Sequence, residues 1–151
     1  MSAVAFVDSH ILIYAHDLDA GVTRERAVLK LRELWDSGTG RLSVQVLQEF
    51  YVNATQKLAT PIARSTAREV IQTYGVWIHH PTTAETITRA TEISDLARIS
   101  FWDALIVASA EEAGADELLT EDLNDGQAIA GIKVLNPLKD GHMGFEVHDG
   151  R

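Results

Sequence analysis

With 151 residues, the chain has room for one globular core and would be cramped with two. Hydrophobic residues make up 46% and charged residues 23%, which excludes an intrinsically disordered chain. The absence of cysteine excludes disulfides and thiolate zinc sites, and suits a reducing compartment. The formal net charge is −9, from 22 acids against 13 lysines and arginines, and this disfavours gripping nucleic acid by phosphate neutralisation alone. An acidic chain can still act on RNA where its carboxylates hold metal, because the cation reverses the local charge. The acidity also suits a basic protein partner. No apolar run approaches the roughly 20 residues of a membrane span. The start, Met1 to Asp8, lacks a basic region and meets an acid too early for a signal peptide. A cytoplasmic protein with no membrane partner is expected.

In chain order, Ala3 to Val7 is a short unbroken apolar run, the mark of a strand buried on both faces, ending at Asp8. Ile11 to Ala15 reads as a short helix. Thr23 is placed to cap a second helix running to about Asp36 and closed by Gly38. Arg41 to Val44 reads as a second strand, followed by a helix with Leu47, Phe50, Tyr51, Ala54 and Leu58 at helical spacing. Thr60-Pro61 opens the next helix, which stops at Gly75. Val76 to His79 is expected as strand three. Thr82 and Glu85 have capping-box spacing and start a helix through about Leu96; Ser100 and Asp103 repeat it for a helix ending at Gly114. Glu117–Thr120 and Ile132–Leu135 complete the strands. The expected fold is α/β: one domain over 1–138, with a mostly parallel sheet of about five strands and helices on both faces. The tail, 139–151, is expected to be loosely ordered.

Ligands of open parallel sheets bind outside the carboxyl ends of the strands, near the point where strand order reverses. Asp8 ends strand one, and Asp122 lies just past the fourth expected strand. Glu49 lies near the start of the helix after strand two, and Asp103 in the first turn of its own. One crevice could therefore collect all four. Magnesium and manganese prefer oxygen ligands and keep waters for reaction. Phosphodiester hydrolysis needs an activated water and stabilisation of developing charge, which one or two such ions provide. Carboxylates packed without metal repel one another, so the cluster would serve structure poorly.

Each acid also has an ordinary reading. Asp8 could cap the following helix, and Asp103 with Ser100 could do the same for its own. Asp103 nevertheless shares a helix face with Ile106, Val107 and Ala110, where a carboxylate is costly unless paired. Taken alone, Glu49 reads as a surface residue, and Asp122 and Asp125 read as turn residues. The six histidines do not assemble a zinc site: His79 and His80 adjoin in an expected strand and face opposite sides, while His142 and His148 fall in the tail. Phosphate-binding glycine loops, serine-nucleophile elbows and dinucleotide fingerprints are absent.

Four segments in order carry a resemblance: Phe6-Val7-Asp8-Ser9 with Ile11 to Ala15; Ser43 to Phe50; Ser100 to Ala108; and Leu119-Thr120-Glu121-Asp122-Leu123. From Val4 to about Pro137 the chain resembles a PIN domain, and more narrowly the VapC-type toxins. The resemblance implies a metal-dependent endoribonuclease using Mg2+ or Mn2+ on an RNA substrate. Asp8 and Asp103 would be principal ligands, and Glu49 and Asp122 would complete the shell and orient the attacking water. Ser9 and Thr120 match supporting hydroxyl positions, with Asp125 a more distant supporting acid. The family commonly carries asparagine where this chain has His10, which touches a supporting hydrogen bond. The resemblance also implies a homodimer and a cognate antitoxin clamped by the helix pair from Leu47 to Tyr74. Other readings are a PIN-type RNA-processing nuclease that is not a toxin, a non-cleaving RNA- or protein-binding PIN domain, and a receiver-like signalling domain. The last would need a phosphoacceptor aspartate after strand three, where His79-His80-Pro81 stands, and a lysine near strand five, whereas Lys133 falls inside a strand.

Overall fold

The computed structural model describes residues 3–139. In chain order its elements are β1 (Ala5–Val7), α1 (Ser9–Ala15), α2 (Val22–Ser37), β2 (Gly40–Arg41), α3 (Val44–Gln56), α4 (Arg64–Tyr74), a 3-10 turn (Gly75–Trp77), α5 (Ala84–Ala97), α6 (Phe101–Glu112), β3 (Glu117–Leu119), β4 (Ala128–Ile129) and β5 (Ile132–Leu135). The sheet runs β2-β1-β3-β5-β4, with every pairing parallel except that of β4 with β5. Successive strand side chains point to opposite faces, so the complete burial of Ala5, Phe6 and Val7 means that helices cover both faces at β1. The expected α/β architecture, with a mostly parallel five-stranded sheet, is the one observed.

From β1 the chain moves outward to β2 on one side, then returns to place β3 on the other. Strand order therefore reverses between β1 and β3, and their carboxyl ends open a crevice there. Helix α1 packs on α2 and α3, α3 on α4, and α5 on α6.

The expected third strand is not a strand. Residues 75–77 form the 3-10 turn, and a single backbone bond from Leu42 N–H to the Trp77 carbonyl (3.2 Å) joins it to the end of β2. The apolar run has another cause. Trp77 buries its ring against Trp35 and Tyr74, with centroids 5.7 and 4.9 Å away, and lies over Gly40. With that strand removed, Asp122 follows the third strand rather than the fourth. His79 and His80 are both exposed in a loop, so their strand argument lapses.

The fifth strand is instead β4, joined to β5 by the turn Ala130-Gly131, both at positive φ (53° and 80°). Such a turn is commonly signalled by Asn-Gly or Asp-Gly, and Ala-Gly hides it.

Three helix starts also move. Gly21, not Thr23, caps α2. Thr60 bonds Asp19 (2.9 Å) and Ile62 N–H returns to the Ala54 carbonyl (3.0 Å), so α4 waits until Arg64. The capping box of α5 is Thr83 with Thr86, one residue later than expected. Thr86 settles that register, because it is buried and donates its hydroxyl to the Glu112 carboxylate (2.9 Å) on α6. Gly38 closes α2 in the left-handed conformation, as expected. The tail beyond Lys139, with His142 and His148, lies outside the described residues.

Candidate active site

Asp8 follows β1 directly and serves two purposes at once. It is the N-cap of α1, accepting a hydrogen bond at Oδ1 from Ser9 N–H (2.7 Å), and its other oxygen accepts the Thr120 hydroxyl (2.7 Å) at the end of β3. The helix-cap reading and the site reading are therefore compatible. Thr120 Oγ1 also accepts from Asp122 N–H (3.1 Å), so one hydroxyl spans the gap between β1 and β3 and fixes the loop carrying Asp122.

On α6, Ser100 Oγ accepts from Asp103 N–H (3.1 Å), which sets the first turn. The rest of that helix is sunk in the core from Ala104 to Ala110, so the side chain of Asp103 emerges at the margin of an apolar helix. On α3, Gln45 Nε2 donates to Glu49 Oε2 (3.2 Å) and reaches the Trp102 carbonyl at 3.4 Å, tying α3 to α6.

Asp8, Glu49, Asp103 and Asp122 all line one cleft of about 490 Å³, together with Ser9, His10, Gln45 and Lys57. Burial lifts the pKa of Asp8 from 3.8 to about 6, and the charge of Asp122 adds to the rise. Hydrogen bonds from Thr120 and Ser9, and the nearby His10, pull it back. Asp103 is also raised, first by burial and then by Asp122 and Glu49. These carboxyls feel one another across the cleft, the electrostatic condition that a bound cation relieves.

The donor set suits a hard divalent ion. Asp8, His10 and Asp122 place ligand atoms within 4.8 Å of one another, and the carboxylates of Glu49 and Asp103 share the cleft. An oxygen-rich lining of this kind suits hard cations over softer ones.

The PIN domain sequence profile matches residues 5–128. The chain belongs to the PIN domain family. Comparison with curated protein sequences finds no match. Among solved structures, a toxin–antitoxin complex from Klebsiella pneumoniae is similar at 21% identity, over 88% of this chain and 97% of that one, with a TM-score of 0.61. FitAcB from Neisseria gonorrhoeae is similar at 17% identity over 88% and 97%, with a TM-score of 0.63. VapC20 from Mycobacterium tuberculosis, described as a sarcin–ricin loop cleaving toxin, is similar at 19% identity over 78% and 89%, with a TM-score of 0.57. At these identities the likeness is one of fold.

In this PIN domain Asp125 lies apart from the acid cleft. Its Oδ1 accepts from Asn136 N–H (2.8 Å) and its Oδ2 lies 3.4 Å from Lys139 Nζ, which fastens the loop after β3 to the segment after β5. Glu121 is also engaged elsewhere, by the Tyr14 hydroxyl (3.1 Å). His16 is a satisfied histidine, with Nδ1 2.9 Å from the Leu12 carbonyl.

His10, which the sequence marks only as a departure from the family's asparagine, lines the cleft with its Nδ1 3.1 Å from Asp122 Oδ2, although no hydrogen bond forms. Sequence reasoning missed a polar stripe running along α3 to its C-cap. Gln45, Glu49, Asn53 and Lys57 recur every four residues, flanking the buried stripe of Val46, Phe50 and Ala54. That periodicity was available in the sequence and marks the face α3 turns to the cleft.

Proposed function

We propose that this PIN domain is a metal-dependent endoribonuclease of the VapC toxin type. The observation that carries the reading is the convergence of Asp8, Glu49, Asp103 and Asp122, from four separate elements, on one cleft at the reversal point of the sheet. In this reading Asp8 and Asp103 are the principal holders of Mg2+ or Mn2+, with Glu49 and Asp122 completing the shell. When bound, the ion supplies an activated water and a counter-charge for the phosphate.

The remaining work falls to the chain. Thr120 and Ser9 N–H hold both oxygens of Asp8 in a fixed orientation, so that carboxylate need not reorganise. Gln45 holds Glu49 at the cleft wall, where its free oxygen can accept a proton from water approaching the phosphodiester. Lys57 contributes positive charge to the cleft for a neighbouring phosphate.

An antitoxin and a homodimer belong to the same reading. Next to the acid cleft, an apolar groove of about 410 Å³ is lined by Val44, Leu47, Tyr51, Val52 and Ile71 of α3 and α4. It shares Gln48 and Val52 with the cleft, so an apolar segment seated there would run onto the acids. The net charge of −9 favours a basic segment. The described similarity of solved toxin–antitoxin complexes supports the same partner class.

The test is cleavage of single-stranded and structured RNA by the full chain with Mn2+ or Mg2+, and with EDTA. Asp8→Asn and Asp103→Ala are each expected to lose at least a hundredfold in kcat/KM, a loss of the size seen when a positioned catalytic group is removed, about 10²–10⁴. Both should keep the far-ultraviolet dichroism of the wild type. Full activity in either variant would remove that residue from the site.

A further inference from the structure

We propose that the indole of Trp102 is a base-stacking platform, holding an unpaired nucleobase beside the phosphate to be cut. The proposal rests on the nuclease reading and adds how the RNA strand is gripped.

Trp102 stands in the first turn of α6, one residue before Asp103, and lines the acid cleft. The seven residues from Ala104 to Ala110 are all buried, yet Trp102 is 62% exposed. Its ring has one aromatic neighbour and its backbone is tied to α3. Phe101 meets it edge-on at 5.0 Å and 77°, and Gln45 reaches its carbonyl from α3. Of the other tryptophans, Trp77 is buried and Trp35 spends its ring on Tyr74 and Trp77. Exposed Leu96, Val76 and Leu18 do not line the cleft.

The surroundings indicate what an exposed ring in that place can take. Beside the indole the cleft carries two further apolar side chains, Val52 and Ile106, and its other lining residues are acidic, basic or polar, so an apolar side chain from a protein partner would meet carboxylates around its edges. The adjoining apolar groove between α3 and α4, which meets the cleft at Gln48 and Val52, suits such a partner better, and Trp102 does not line it. A nucleotide matches both halves of the cleft. Its phosphate belongs with the cation-holding acids and Lys57, and its base offers a π-face to the indole. Stacking of this kind requires a base free of its duplex, so the platform selects single strands and loops over paired RNA.

The experiment uses a single-stranded RNA whose cut site has been mapped with wild-type protein and Mn2+. A set of the same RNAs carries an abasic nucleotide at each position flanking the cut. For the wild type, one flanking abasic position is expected to lower kcat/KM roughly tenfold or more, mainly through KM. Trp102→Ala should show the same loss on intact RNA and no further loss on that abasic RNA, while Trp102→Phe recovers most of the activity. Separately, RNA binding to Asp8→Asn is followed by quenching of tryptophan emission, which Trp102→Phe in that background should abolish. That titration supports the platform even where no cutting is observed, so it separates the proposal from the nuclease reading. The proposal is overturned if Trp102→Ala cuts every RNA at the wild-type rate, or stays as sensitive to the abasic position as the wild type. Quenching that survives Trp102→Phe, absence of RNA binding, or a change only in oligomeric state or in binding a protein partner would overturn it too.

Discussion

Asp8 is 5% exposed and offers both oxygens to the chain's own donors, yet burial still outweighs those bonds and carries its pKa to about 6. The folded protein therefore holds a proton that the unfolded chain, with an aspartate pKa near 3.9, releases about two pH units earlier. Between those values the native state binds more protons, so this residue's contribution to stability falls as pH rises through the window. At neutral pH and without metal, the deficit is on the order of 3 kcal/mol, at 1.36 kcal/mol per unit. Asp8→Asn abolishes the titration, at the expense of one mismatched hydrogen bond to Ser9 or Thr120. In EDTA, the melting temperature of the variant relative to wild type is expected to climb between pH 4 and pH 7. A difference that stays level across that range would mean that Asp8 ionises freely in the folded protein.

Among the elements, β2 and the 3-10 turn show how a short segment is placed by a side chain from elsewhere. A Cβ built on Gly40 would lie 2.5 Å from the Trp77 ring, which Trp35 and Tyr74 confine from the sides. Gly40→Ala is expected to cost about 1–3 kcal/mol, the usual range for overpacking a filled core. Thermal unfolding of the full chain measures it, and an unchanged melting temperature would show that the ring can yield. The same contact explains why residues 76–79 misled the sequence reading: Trp77 is apolar because it plugs β2, and a single backbone bond replaces a ladder. Helix α6 is legible in the sequence because its cap, Ser100, and its long apolar face are local features. The entry of α5 lies one residue beyond the expected one because a tertiary bond from Thr86 to Glu112 chooses between adjacent threonines.

At the scale of the whole molecule, the acids arrive from the end of β1, from α3, from α6 and from the loop after β3. A divalent ion held by them would clasp parts of the chain more than 110 residues apart. Ligands that bind only the native state stabilise it, by about 2.7 kcal/mol at a hundred times Kd. Saturating Mn2+ is thus expected to raise the wild-type melting temperature by several degrees, and to do so less below pH 6, where Asp8 holds its proton. Asp103→Ala should lose most of that shift. An equal shift in Asp103→Ala and wild type would place the ion elsewhere. No helix among the described residues is long and apolar enough to cross a membrane, in keeping with the composition.

By itself, the sequence determined the class of fold and singled out four acids as candidates. The apolar run before Asp8, the capped helices and the alternation of strands with helices are local patterns, written by the hydrophobic periods of the chain. The family motifs around Asp8, Glu49, Asp103 and Asp122 are local as well. Only the tertiary structure decided which acids meet, because convergence depends on the strand order β2-β1-β3-β5-β4 and on where crossovers return the chain. It drew His10 to Asp122, sent Asp125 to Asn136 and Lys139, and left Trp102 bare beside the cleft. In each case the outcome was set by contacts between residues distant in sequence, whose energies no local pattern encodes.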